Sequence, residues 1–357
     1  MRVLAIDVGH GHLKMIRRVS EGAYTTHSFP AFAVPVAAGN SASAVMQASL
    51  KLTEVDVDGQ RFRAGPDIEL AIPPGANRNR DDNYSKSPAY LALLKTALHK
   101  AGMREIDLLV VGLPMTTLAS NREHLRSVLE GTHEVPAFEG ERGSSTETVT
   151  VRVRKVVVLA QALGALFAAA AQVPDIESER VLTLDLGWHT LDVLVSQGLR
   201  VFAERVGAIP GGVAGYIDQL QKSVAAEIQQ QRPDLSGHIV VPASIYEQAM
   251  QKPAGKRFVS LGPGRFDIDQ HRAMAQQNLA QTLEAAAPII HSANDISCIV
   301  LAGGGAELLV DVVKKQFPAI ARVITLSNPQ FAVALGFLLF GERRLAGERK
   351  EQLSAVA

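Results

Sequence analysis

A short pattern that occurs twice constrains this chain more than any other feature. Near the start, Val3-Leu4-Ala5-Ile6-Asp7 runs into Val8-Gly9, a turn, and then Leu13-Lys14. Halfway along, Val181-Leu182-Thr183-Leu184-Asp185 runs into Leu186-Gly187, a turn, and then Leu191-Asp192. Laid over one another without gaps, Asp7 falls on Asp185, Gly9 on Gly187, Leu13 on Leu191 and Lys14 on Asp192. Each copy has the signature of a buried strand that delivers a carboxylate and a glycine into a tight strand–turn–strand hairpin. One such hairpin is ordinary. Two in register predict two related domains, each pointing a glycine turn at something held between them. Backbone N–H groups in such turns form anion-binding concavities, and glycine lets the turn close on a phosphate.

Composition leaves room for two cores and removes several function classes. The chain has 357 residues, 47% of them apolar, with 36 basic and 36 acidic side chains. That balance lacks the basic footprint of a direct nucleic-acid binder. A single cysteine, Cys298, excludes an internal disulfide framework and a thiolate zinc cluster. It sits in the apolar run 296–302, which predicts an inert buried thiol. The longest apolar segments, 159–171 and 331–340, fall short of the ~20 residues a membrane-spanning helix needs. With no export signal visible, the expected location is cytoplasmic, with no membrane partner.

Along the chain, 23–29 predicts a third strand that completes a meander with the first hairpin. Strands at 52–57 and 61–64 flank the Asp58-Gly59 turn, and 30–87 is expected to form a small inserted subdomain. Arg78, Arg80, Asp81 and Asp82 form a charged run expected on a solvated face or at a subunit contact. A helix is predicted at 89–101 with Gly102 as its stop, then a strand at 106–111 ending in Gly112-Leu113-Pro114, and a helix at 119–129. The segment 131–146 has loop composition, and 148–158 predicts one β-branched strand. Next come Gln161, an alanine-rich helix through 171, the second hairpin, and strands at 192–196 and 199–205. Gly211-Gly212 opens a helix at 213–231, an insertion carries a helix at 243–251 and a strand at 258–261, and a polar helix is expected over 270–292. Finally, the strand 297–302 enters Gly303-Gly304-Gly305, with Ala306-Glu307 opening a helix, a pattern in which no Cβ blocks a base or phosphate.

Taken together, the two hairpins, Gln161 at a helix start, the glycine pair and the glycine triplet resemble the actin superfamily, which also holds sugar kinases and large heat-shock chaperones. Lys14 and Thr190-Leu191-Asp192 bring the resemblance closest to plasmid-segregating actins of the ParM/StbA type and their archaeal relatives. The pattern departs from those relatives at His10 and at Trp188-His189. The resemblance implies an α/β fold of duplicated, ribonuclease H-like domains, each a mixed sheet flanked by helices, with a nucleotide cleft between them. It also implies boundaries. Residues 1–160 with 338–357 would form domain I, and 161–337 domain II, with insertions at about 30–87 and 213–270. Residues 328–336 would be the second interdomain connection.

What the resemblance implies for the site follows the same positions. ATP (or GTP) with Mg²⁺ would lie in the cleft, cradled by the backbone of Gly9, His10, Gly11 and His12 and of Gly187, Trp188, His189 and Thr190. Lys14 would add charge toward the β-phosphate, and Asp7 and Asp185 would hold Mg²⁺ through water. Gln161 would align the attacking water, Gly211 and Gly212 would lie near the ribose, and Gly303, Gly304, Gly305 and Glu307 would form the adenosine loop. Hydrolysis at such a site is positioning and electrostatics. The implied function is a filament-forming ATPase for plasmid or DNA segregation. Its partners would be further copies of itself, head to tail, and a DNA-bound adaptor protein. Alternatives are a small-molecule kinase of the same superfamily and a non-polymerising scaffold resembling PilM. A transition-metal centre of His10, His12, His189 and the two aspartates is the competing reading of the site.

Overall fold

The same sheet is built twice. The structure, a computed structural model, describes residues 1–36, 49–72, 78–79, 81, 83–139, 147–231, 241–261 and 264–356. The first hairpin is β1 (Val3–Val8) and β2 (His12–Ser20), followed by β3 (Ala23–Pro30). After β4 (Val34–Pro35), β5 (Thr53–Val57) and β6 (Gln60–Ala64) come α1 (Pro88–Ala101), β7 (Glu105–Ile106), β8 (Leu108–Leu113) and α2 (Met115–Leu129). Next are β9 (Gly131–Pro136), β10 (Thr148–Val153), β11 (Val156–Ala160) and α3 (Gln161–Gln172). In the first large sheet the order is β3-β2-β1-β8-β11, with the meander antiparallel and β8 and β11 parallel to β1.

The second half repeats that order. The strands are β12 (Arg180–Leu186), β13 (Thr190–Gln197) and β14 (Arg200–Pro210). After α4 (Val213–Gln231), α5 (Ala243–Met250), β15 (Phe258–Leu261), β16 (Gly264–Asp267), α6 (Arg272–Glu284) and α7 (Ala287–Ile290) come β17 (Cys298–Ala302), α8 (Ala306–Gln316), β18 (Arg322–Thr325) and α9 (Ala332–Val356). The order β14-β13-β12-β17-β18 matches the first sheet strand for strand. Smaller sheets, β4-β6-β5, β7-β10-β9 and β15-β16, sit on these two frames.

Helices α3 and α9 join the halves. One buried cluster includes Val3, Ala5 and Val110 from the first sheet and Val181, Val300 and Ala302 from the second. Between them lie Ala165 and Ala168 of α3 and Phe337 and Leu338 of α9. The helix pair can occupy so thin a layer because two glycines meet where it crosses. A Cβ on Gly164 would lie 2.6 Å from the Val333 carbonyl, and one on Gly336 would fall on the carbonyl of Gly164 itself. Farther on, α9 returns to the first sheet, where Arg18 on β2 pairs with Glu342 at 2.6 Å. Cys298 is fully buried, as its apolar run requires.

Several expected elements change. The segment 131–146 is not all loop, because 131–136 forms β9 and pairs antiparallel with β10. His133 and Val135 alternate inward there, and His133 accepts burial by bonding the Leu129 carbonyl at 2.8 Å. Residues 140–146 lie outside the described part. The single strand expected over 148–158 is two, since Arg154-Lys155 separates β10 from β11 and the two belong to different sheets. The helix expected over 270–292 begins with a 3₁₀ turn at Ile268–His271 and is then interrupted between Glu284 and Ala287, Pro288 stopping its continuation. At the Asp58-Gly59 turn both residues have positive φ, 52° and 81°, so this hairpin forms as expected.

The helix crossing generates a stability test. Gly336→Ala should lower unfolding free energy by about 3 kcal/mol, since the added methyl has only a backbone carbonyl to push against. Gly347→Ala on the same helix meets nothing within 4 Å. It should be neutral or stabilising by up to about 1 kcal/mol. Urea titration of both proteins checks this, and equal stability would mean that the helices do not cross at Gly336.

Candidate functional site

Strand register decides which charges meet. It places Asp7 opposite Lys14 in the first hairpin and Asp185 opposite Asp192 in the second. Directly opposed residues share one face of a sheet with Cβ atoms about 5 Å apart, so each hairpin directs two charged groups to one side. In the first, the pair is complementary. Lys14 Nζ lies 3.1 Å from Asp7 Oδ2, and Gln161 Nε2 at the start of α3 donates to Asp7 Oδ1 at 2.8 Å.

The second hairpin opposes two acids. Asp185 and Asp192 are only 6% and 4% exposed. The Thr190 hydroxyl donates to Asp192 Oδ2 at 3.0 Å, while Asp192 Oδ1 is buried without a hydrogen-bond partner. Burial, reinforced by the charges of Asp192 and Asp7, pushes Asp185 up to about 8. Burial likewise lifts Asp192 to about 6, against the bond from Thr190. Asp7, Asp185 and Asp192 with Lys14 all border one cavity, so three carboxylates share one ammonium. That imbalance, with the orphaned oxygen, fits a divalent cation. Among the described residues no group of three or more His, Cys, Asp or Glu is arranged to ligate a metal directly. The transition-metal reading gains no support from it, and an ion such as Mg²⁺ would have to be held through its own water.

The glycine turns are locked from behind. The Gly9 N–H donates to the His12 carbonyl at 3.2 Å and the Gly187 N–H to the Thr190 carbonyl at 3.0 Å, so each turn closes on itself. Gly211 and Gly212, expected near the ribose, adjoin the cavity-lining Val213 and bond back to the second turn. Both donate to the His189 carbonyl, at 3.0 and 3.1 Å, while Val213 and Ala214 donate to the carbonyls of Gly187 and Trp188 at 3.0 and 2.8 Å. The N-terminus of α4 thus takes up the turn's carbonyls and fixes its shape. Any Cβ on Gly212 would lie 2.5 Å from the Gly187 carbonyl. Gly303, at φ 86°, lets the third glycine element press on the Asp185 carboxylate. Gly304 and Glu307 border the cavity, whereas Gly305 packs between Leu186 and Val213 and bonds the Leu186 carbonyl at 3.0 Å.

The cavity measures about 540 Å³, within the range of small-molecule sites. The two turns touch. The rings of His10 and His189 are 5.3 Å apart, and a Cβ on Gly11 would lie 2.8 Å from that of Trp188. His12 is driven down to about 3 by burial and by the charges of Arg78 and Lys14, so it is neutral at pH 7. Beyond the residues expected from sequence, the cavity is also lined by Tyr216, Met250, Arg257, Arg272 and Leu308.

Residues 5–164 match the family model "Actin like proteins N terminal domain", and 183–315 match "Archaeal actin homologue MreB-like, C-terminal". Together these cover most of the chain, each on one of the duplicated sheets. The chain belongs to the actin-like proteins. Among solved structures, it is similar to an archaeal actin homologue, Ta0583, with TM-score 0.74 and 20% identity, covering 96% of this chain and 100% of the other. The same homologue in complex with ADP gives 0.71 at 19% identity, covering 96% and 100%. A ParM filament from Clostridium botulinum gives 0.72 at 19% identity, covering 96% and 99%. No functionally curated protein matches the sequence significantly.

Two residues of this actin-like site escape a reading of the sequence. Asp192 is visible there, since the ungapped overlay puts it on Lys14, but only strand register shows that it shares a face with Asp185. Arg78, expected on a solvated face, is instead buried, 8% exposed, against the second turn. Asp81 is exposed as expected, and Arg80 and Asp82 lie outside the described residues.

The acidic pair has a pH consequence. Both carboxyls carry folded values above the roughly 3.9 of an unfolded aspartate, so between about pH 4 and 8 the folded state binds more protons than the unfolded state. Stability without metal should therefore fall as pH rises through that window. Asp192→Asn should flatten the fall, and Mg²⁺ should raise the unfolding midpoint of the parent more than that of the variant at pH 8. Urea titrations in chelator at pH 5 and pH 8, repeated with Mg²⁺, measure this. Identical slopes in both proteins would mean that the pair is not repulsive.

Proposed function

We propose that the chain is an actin-like ATPase that binds ATP with Mg²⁺ between its two halves and polymerises head to tail. The observation that carries the reading is the buried, undercompensated carboxylate cluster set between two glycine turns that face each other. Asp7, Asp185 and Asp192 are the groups to hold the hydrated Mg²⁺, which when bound neutralises phosphate charge. N–H groups between Gly9 and His12 and between Gly187 and Thr190 hold phosphate oxygens, with Lys14 as the nearby cation. Gly303, Gly304 and Glu307 lie toward the nucleoside.

Gln161 is the proposed water-positioning residue. Its amide already holds Asp7 at 2.8 Å, so the same side chain sets the orientation of a carboxylate and sits beside the cluster. Hydrolysis then needs no covalent intermediate, only a water kept in line by positioned groups. A kinase reading gains a third carboxylate in Asp192 as a general-base candidate. The contact of Trp188 with Gly11 and of His10 with His189 leaves little space between the turns for an acceptor substrate, and favours water.

Filament formation is supported by the similarity to a protein described as a ParM filament. Head-to-tail contacts do not close into a dimer and therefore generate open polymers. Nucleotide between the halves fixes their relative angle and so decides whether the two ends of a subunit match. A role in plasmid or DNA segregation, with a DNA-bound adaptor, is the cellular reading we attach to it.

Light scattering tests the proposal. Addition of ATP and Mg²⁺ should produce polymer that later decays, while Gln161→Ala should assemble normally and persist several-fold longer because hydrolysis is slowed with binding preserved. Absence of scattering in the parent over a wide concentration range would point to the kinase or scaffold reading. Equal decay in both proteins would remove Gln161 from the mechanism.

A further inference from the structure

Arg78 reaches from the first half of the molecule to the second and lies on the phosphate turn. It stands between β6 and α1, in the part of the chain whose neighbours Ala64 and Tyr84 belong to the first core. Its guanidinium pairs with Glu247 on α5, Nη1 to Oε1 at 2.6 Å and Nη2 to Oε2 at 3.4 Å. Helix α5 belongs to the other half, because Tyr246 and Ala249 are buried in the second core with Leu220 of α4. Glu69, from the first half, holds Nη2 from the opposite side at 3.3 Å. The flat face of the guanidinium lies 4.0 Å above the ring of Trp188, within the second glycine turn.

These contacts form one stack that runs from one half of the molecule to the other. Trp188 is pressed on its far side against Gly11 of the first turn, where even a methyl group would not fit. The order is therefore Glu247 and Glu69 around Arg78, Arg78 on Trp188, and Trp188 on Gly11. The Arg78 side chain is only 5% exposed and that of Glu247 14%, so this is a desolvated pair. Breaking one partner of such a pair leaves a buried charge uncompensated, an effect much larger than for a surface pair. Separation of the two halves at this point cannot occur without breaking it.

We propose that Arg78 is a positioning residue that clasps the cleft shut and, through Trp188, holds the second phosphate turn in its ligand-binding shape. The inference rests on the reading of the cleft as a nucleotide site and adds how that nucleotide is retained. Opening the cleft frees Arg78 from Glu247 and uncovers Trp188, so release of nucleotide and loss of the turn's support are one event. Closing restores both. The clasp makes a change at the nucleotide felt by α5, and a change at α5 felt by the nucleotide.

The chain has one tryptophan, so Trp188 reports its own surroundings. In unliganded protein, acrylamide quenching of its fluorescence should increase about threefold in Arg78→Ala and clearly in Glu247→Gln, since exposing the ring requires only that the clasp open. Stopped-flow release of a methylanthraniloyl-ADP from the full chain with Mg²⁺ should be roughly tenfold faster in either variant, the usual signature of a truncated buried charge pair. The double variant should release no faster than Arg78→Ala alone, because both changes remove the same interaction. Circular dichroism and a urea midpoint for each variant separate clasp loss from unfolding, and Arg78→Lys, which keeps charge but loses the planar face, should quench like Arg78→Ala while releasing nucleotide more slowly than it. Parent-like quenching in both variants overturns the clasp. Parent-like release, or additive effects in the double variant, overturns the link to the nucleotide. A parent protein that retains no methylanthraniloyl-ADP overturns the nucleotide reading itself, and the link with it, whereas the quenching result still decides the clasp.

Discussion

An opposed pair of buried aspartates is the interaction on which the rest of this site depends. Antiparallel register in the second hairpin sets Asp185 against Asp192, and the one cation on that strand pair, Arg180, lies at its other end opposite Gln197. Like charges opposed on one sheet face are destabilising, and here both are removed from solvent. A fold accepts such a cost where a ligand offsets it. The duplicate hairpin has the same geometry with Lys14 at the corresponding place, so one half is electrically satisfied and the other is left open. Duplication followed by this single difference in charge gives a two-fold frame an asymmetric centre.

Glycine acts at two scales in holding that centre together. At the crossing of α3 and α9, Gly164 and Gly336 let backbones touch, which keeps both sheets close to a shared core. Within the site, Gly303 and Gly212 do the same for a carboxylate and for a turn carbonyl. The N-terminal N–H groups of α4 are often thought of as anion ligands. In this molecule they are spent on the carbonyls of residues 187–189, so they act on a ligand only by shaping the turn.

Arg78 gives the stretch between β6 and α1 a common contact with α5 of the other half. Its partners come from three places in the sequence, at Glu69, Trp188 and Glu247. That arrangement connects these elements to the second glycine turn over a few ångströms of packed side chains. In a protein whose proposed assembly depends on the angle between its halves, such a contact is where that angle can be held.

Much of this architecture is legible in the amino-acid sequence. Alternation and apolar runs around Asp7 and Asp185 identify the two hairpins because strand periodicity and tight-turn chemistry are local. The repeat between them carries the duplication, and the glycine triplet after a buried strand carries the third wall of the cleft. What sequence cannot supply is anything that depends on which strand lies beside which. β9 reads as loop because Gly131, Thr132 and Glu134 face outward and one of its inward residues, His133, is itself polar, and the run 148–158 reads as continuous because both its strands are β-branched. The sharing of a sheet face by Asp192 and Asp185 follows from register, and the burial of Arg78 follows from the approach of Glu247, a residue nearly half the chain away. By itself, then, the sequence determined that two related halves would each present a carboxylate and a glycine turn, since those features are set by near neighbours. Only the tertiary structure decided which charges are compensated and which are not, because compensation depends on long-range approach in a medium where water is excluded.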